Sequence, residues 1–309
     1  MNKKMKIILS VSLGAGWLAL LLATMVILDG QYRNQLPDYP EFKDIPKSLQ
    51  EQISMAGRKA YLNPMANNLG WLSMVYYSSN YYERASQCYQ LAVKKNNRKW
   101  IWNYYLGYLN LEQGESDKSI ENFKIVFKKD PKNYLALFYL ADAYQSLGLT
   151  DNAESLFKKI AALNDRDIVK RDTIRENDFP LQTYALFRLS RIYMNSNRLD
   201  SAEITLKELI ENQISFGPAY RLLGTVYTME GNVLLANKYN VRANDLNEYT
   251  PPADVLIDQI AVMSRSDIFL LKYIDDATRS GNVKLALKFF DHALKYLPDN
   301  KYLISKAVS

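Results

Sequence analysis

Three stretches of this chain abut without a gap, 66–99, 100–133 and 134–167, and carry the same residue types at the same places. That 34-residue period constrains the fold more than any other feature of the sequence. Position eight is small in every window, Ser73, Gly107 and Ala141, and follows Leu72, Leu106 and Leu140. Position twenty is small again (Ala85, Ser119, Ala153). An aromatic residue comes four places later, Tyr89, Phe123 and Phe157, and an apolar one three places after that, Ala92, Val126 and Ile160. Apolar residues at i, i+3, i+4 and i+7 place two amphipathic helices in each window, over about positions 1–14 and 18–31. The small residues mark where the two helices come closest, so that a larger side chain there overpacks the contact. The aromatic fills the gap towards the next unit. Only twelve Gly and ten Pro occur among 309 residues, which favours long helices with short joints over a many-stranded sheet.

This pattern resembles the tetratricopeptide repeat family, whose period is also 34 residues. Three further windows follow it more loosely. Window 183–216 supplies Leu186, Leu189, Ser190, Tyr193 and Ala202. Window 217–250 supplies Leu223, Gly224, Tyr227, Gly231, Ala236 and Ala243, with Asn240 where an aromatic is expected. Window 267–300 supplies Gly281, Ala286, Phe290, Ala293 and Pro298, with Tyr273 and Ile274 where Leu and a small residue are usual. Two insertions interrupt the period. Residues 168–182 are charged and read as a helix extension or loop, and residues 251–266 read as one extra helix with Leu256, Ile257, Ile260 and Met263 on a face. The expected fold is an all-α solenoid of helical hairpins: repeats one to three over 66–167, four and five over 183–250, a sixth over 267–300, and a tail at 301–309.

The resemblance implies a concave face lined by the first helix of each pair. It places Trp71, Met74, Tyr77, Tyr104, Tyr108, Phe138, Tyr184, Phe187, Arg188, Arg191 and Arg221 on or beside that face, with Tyr105 and Tyr139 one position aside. An aromatic lining suggests a surface for a protein partner, a peptide or helix, with an acidic residue near the three arginines. The alternative is that these rings pack against neighbouring repeats or the insertions. Some members of the family clamp a C-terminal carboxylate with Lys and Asn at positions five and nine; here Gly70 and Met74, then Tyr104 and Tyr108, occupy those places, which puts such a clamp in doubt.

Upstream, residues 7–28 contain no charged residue. At 1.5 Å per residue they span roughly 33 Å as a helix, enough for a hydrocarbon core of about 30 Å. The run is longer than a signal-peptide core, and Val26, Ile27 and Leu28 rather than a small-x-small site stand directly before Asp29, so it reads as a retained anchor; a cleaved, secreted binding module is the alternative. MNKKMK at residues 1–6 is basic and the flank after the run is not, so the N-terminus is expected in the cytoplasm. In a bacterium the rest then lies in the periplasm, on the inner membrane. Ala15, Ala19 and Ala23 form a small-residue stripe suited to packing on other membrane helices, or follow simply from how common alanine is there. Residues 29–46 read as an extended spacer, and Pro46 opens a lead-in helix.

Composition argues against chemistry. One cysteine, Cys88, and one histidine, His292, exclude a disulfide framework, a CxxC zinc site and most acid–base dyads. Cys88 reads as a half-buried filler and His292 as a solvent-facing helix residue. The net charge of +6 owes three units to Lys3, Lys4 and Lys6, so no nucleic-acid surface is expected. No cofactor or metal is expected. The expected role is a non-catalytic, membrane-anchored scaffold or adaptor for a membrane-associated complex. An accessory or hydrolytic enzyme with a site in the insertions remains as the alternative.

Overall fold

A computed structural model of the chain describes Trp17, Thr24 and residues 26–43, 45–163, 179–246 and 248–308. The stripe Ala15, Ala19 and Ala23, most of the expected anchor and most of the insertion 168–182 lie outside the described residues. Among the described residues, no helix is long and apolar enough to cross a membrane.

A lead-in helix α1 (Lys47–Leu62) opens the array. Five hairpins follow: α2 (Ala66–Ser78) with α3 (Tyr82–Lys95), α4 (Ile101–Glu112) with α5 (Ser116–Lys129), α6 (Tyr134–Ser146) with α7 (Thr150–Ala161), α8 (Leu181–Asn195) with α9 (Leu199–Asn212), and α10 (Gly217–Met229) with α11 (Val233–Asn244). Each helix packs on the one before it from α1 to α11. The two members of a hairpin differ in character because they occupy different layers. The first helices α2, α4 and α6 are buried on most sides, with no acidic residue in the first turn and no basic one in the last. The second helices α3, α5 and α7 have one buried stripe, an acidic residue in the first turn and two lysines in the last, matching the helix dipole.

The small residues sit where the period places them. Ser73, Ala141, Ala85, Ser119 and Ala153 are fully buried. The Ser119 hydroxyl donates to the Gly107 carbonyl at 2.9 Å, so the polar atom is satisfied inside the crossing. Phe123 and Phe157 are also fully buried, and each such ring is worth about 1.5–3 kcal/mol. Position fifteen of all six windows has positive φ: Asn80, Gly114, Gly148, Asn197, Gly231 and Gly281. This left-handed residue ends the first helix and turns the chain into the second.

Beyond α11 the chain departs from the expected array. Residues 248–254 carry no regular secondary structure and lead into α12 (Val255–Met263), α13 (Asp267–Arg279), α14 (Val283–Tyr296) and α15 (Lys301–Val308). The hairpin α13–α14 has the sixth repeat's place in the sequence but does not stack on α10 and α11. Instead it lies near the first repeats, where the Phe269 and Tyr77 rings meet at 5.8 Å. Asn240 is consequently exposed, which explains a polar residue where earlier repeats bury an aromatic. The last segment is a short helix that packs on α14 and buries Leu303.

Residues 29–46 are not a free spacer either. Residues 26–33 are helical, and Lys95 meets the Asp29 carboxylate at 2.6 Å. Arg33 donates to the Tyr61 carbonyl, Arg84 to that of Asp38 and Gln87 to that of Gln35. The Tyr39 ring lies on Gly57 of α1, where any Cβ would collide with it.

Candidate functional site

The first helices of repeats one to four form the concave face, and residues 248–266 run back along it from the fifth repeat to α1. Three contacts fix this path. At repeat four, the Tyr249 ring stacks on Phe187 at 5.4 Å, with the Arg188 guanidinium 5.6 Å from it. At repeats two and three, Asp254 accepts from the Tyr104 hydroxyl at 2.6 Å and the Tyr139 hydroxyl at 3.2 Å, while Tyr105 donates to the Leu256 carbonyl. At α1, the Gln52 amide donates to the Met263 carbonyl at 2.6 Å and accepts from the Arg265 backbone. One primary amide thus binds both sides of the α12 C-terminus.

Asp254 is the pivot of this arrangement. Its other oxygen accepts from the backbone N–H groups of Leu256 and Ile257, making it the N-cap of α12. It is 3% exposed, and a carboxylate so buried persists only because its oxygens find donors. Pro251 and Pro252 disfavour helix in the residues just before them and bring no N–H groups that would need partners.

The eleven residues expected to line a partner groove divide accordingly. Met74, Tyr77, Tyr104, Phe138, Tyr184 and Phe187 are buried, and Trp71 and Tyr108 are half-buried. Trp71 lies beneath the Lys59 ammonium of α1. The Tyr77 hydroxyl donates to Glu112, and burial with that nearby carboxylate pushes the phenol pKa well above its usual value. Arg188 pairs with Asp142 at 3.0 Å and lies over the Phe138 ring as well as that of Tyr249, so its acidic partner comes from the chain itself. Arg191 and Arg221 are exposed, and Arg221 donates to the Ala243 carbonyl. The open groove expected from the sequence is therefore an occupied one, because the insertion packs on the aromatic lining. Gly70 also has a steric reason: the Trp102 ring of the next repeat fills the space its Cβ would take.

An open cleft of about 170 Å³ remains beside the occupant, between Tyr77, Tyr108 and Glu112 on one wall and Lys272, Tyr273 and Asp276 on the other. Among the described residues, no cluster of three or more His, Cys, Asp or Glu side chains has the arrangement of a metal site. His292 is half-buried, with Nε2 2.7 Å from the Ser264 carbonyl, which corrects its reading as a solvent-facing residue. Cys88 is fully buried, and burial pushes its thiol up to about 12. Periodicity pointed to most of the lining. It carried no signal for Asp254, Tyr249 or Gln52, whose roles arise only from contacts between distant segments.

Residues 111–168 match one model of the tetratricopeptide repeat, and residues 66–96 and 183–213 match another. These segments are tetratricopeptide repeats. The chain is 31% identical over 100 residues to the protein CTR9 homolog of Arabidopsis thaliana, covering 31% of this chain and 9% of that protein. It is 39% identical over 54 residues to the tetratricopeptide repeat and J domain-containing co-chaperone DNJ1 of Fusarium oxysporum, covering 18% and 10%. The chain thus spans about a tenth of the length of these curated relatives. Similar solved structures include MamA, at 17% identity and TM-score 0.46 over 63% of this chain and 92% of that one. PilW, a type IV pilus biogenesis factor, has 17% identity and TM-score 0.47 over 78% and 98%. YrrB, a TPR protein with an unusual peptide-binding site, has 18% identity and TM-score 0.46 over 62% and 92%.

Proposed function

We propose that this chain is a non-catalytic, membrane-anchored adaptor that docks a protein partner on its repeat array. Residues 7–28 span the inner membrane, residues 1–6 stay in the cytoplasm, and the array stands in the periplasm as an assembly factor or subunit of a membrane-associated complex. The observation that carries the binding role is the concave face itself. Its rings, hydroxyls and guanidinium hold a stretch of non-helical polypeptide through side-chain contacts at Tyr104, Tyr139, Phe187 and Arg188.

The anchor reading draws support from the end of the uncharged run and the residues that follow it. Val26, Ile27 and Leu28 are exposed apolar residues on a helix that continues to Arg33 and is bonded to α1 and α3. A membrane helix entering there would meet the first repeat without a slack linker and hold it at the bilayer surface.

Two measurements test the proposal. Full-length protein should stay in the membrane through an alkaline carbonate wash, and a chain lacking residues 1–28 should not. Mild-detergent purification of the tagged native protein should bring down a stoichiometric protein partner. Release by the wash, or an intact mass lacking the first thirty or so residues, would remove the anchor. A chain that purifies alone would remove the adaptor role.

A further inference from the structure

We infer that residues 248–260, an irregular segment that runs into the first turns of α12, are an intramolecular ligand of the concave face, and that the partner displaces them with a segment of the same chemistry. That chemistry is an aromatic residue, prolines two and three places later, and a carboxylate at the fifth. The inference rests on the adaptor reading above and specifies its partner.

The occupant is held as a bound peptide is held. Residues 248–254 form neither helix nor strand, Asp254 at their end is extended, and the contacts that place them are made by side chains. A proline-containing segment of this kind loses little conformational freedom on binding. The face offers three subsites in register. Phe187 and Arg188 take the ring of Tyr249, the inner wall covers Pro252, and Tyr104 and Tyr139 donate to the Asp254 carboxylate.

The internal ligand is also an imperfect one. Among the described residues, the buried Tyr249 hydroxyl has no hydrogen-bond partner. A buried orphan hydroxyl weakens an interaction by roughly tenfold or more. A phenylalanine there would leave nothing unsatisfied. The internal segment wins in the free chain because its tether gives it an effective concentration on the order of millimolar. An external segment with a better ring, or with more contacts beyond these three subsites, overcomes that advantage and opens the face.

The test measures fluorescence anisotropy of a labelled synthetic peptide of residues 248–260 titrated with full-length chain in detergent. Tyr249→Ala in the chain should raise affinity for the peptide at least tenfold over the unaltered chain, because the internal competitor is weakened. Tyr249→Phe should lower it about tenfold. Arg188→Ala added to Tyr249→Ala should abolish the gain, and so should a peptide with Ala in place of Asp254. Should Tyr249→Ala fail to fold, Asp254→Asn, which keeps a good helix cap, serves as the opening variant against Tyr249→Phe. Equal affinity for the unaltered chain, the opening variant and Tyr249→Phe would overturn the inference. If those affinities are equal while a partner still co-purifies from membranes, the adaptor reading stands and only this mechanism falls.

Discussion

Position fifteen of each window shows how much one dihedral contributes. Gly148 has φ of +74° with nothing within 4 Å of where its Cβ would lie, so Gly148→Ala meets no clash and only backbone strain. It should lower unfolding stability by about 1 kcal/mol, read as a shift in urea midpoint with unchanged slope. Cys88 should resist alkylation at pH 8 until the chain unfolds, since burial keeps its thiol protonated with a pKa of about 12. Glu203 accepts from Lys207 and Tyr227, which hold its carboxyl below the ordinary 4.5. A lowered folded-state pKa gives stability above the ordinary value that is lost as pH falls through the lowered one. The stability gap between the unaltered chain and Glu203→Gln should therefore close as pH drops below 4.5, in thermal melts across that range. Periodic residues such as Ser73, Ala141 and Phe157 were legible because repetition averages over context. His292 was not, because its partner, the Ser264 carbonyl, lies on a segment whose path no local pattern encodes.

Whole helices were the most readable level. Apolar spacing locates α2 to α7 closely, and Pro46 marks the start of α1. Ala153→Leu should cost about 1–3 kcal/mol by forcing α6 and α7 apart, measured by denaturant titration. What the periodicity could not reveal was the destination of α12 to α14. Their hairpin has repeat-like spacing, yet a stripe that suits stacking on α11 suits equally well the aromatic wall of α2 and α4. The clue lay in repeat five, where Asn240 replaces the aromatic; in the structure Asn240, Leu234 and Val241 are exposed, and among the described residues no later helix packs on α11 as α11 packs on α10.

At the scale of the molecule, the array is closed on itself. The first helix grips the end of α12 through Gln52, a contact across 211 residues of sequence, and the strap around residues 29–40 ties the N-terminal entry to the same end. Such long-range closure should couple unfolding of the C-terminal unit to that of the repeats, unlike a simple stack whose units are coupled only to their neighbours. A double-mutant cycle between Tyr104→Phe and Asp254→Ala tests this closure most directly. The hydroxyl-to-carboxylate bond at 2.6 Å should give a coupling energy of about 1.5–3 kcal/mol. Strict additivity, within about 0.5 kcal/mol, would mean that the segment does not lie on the concave face.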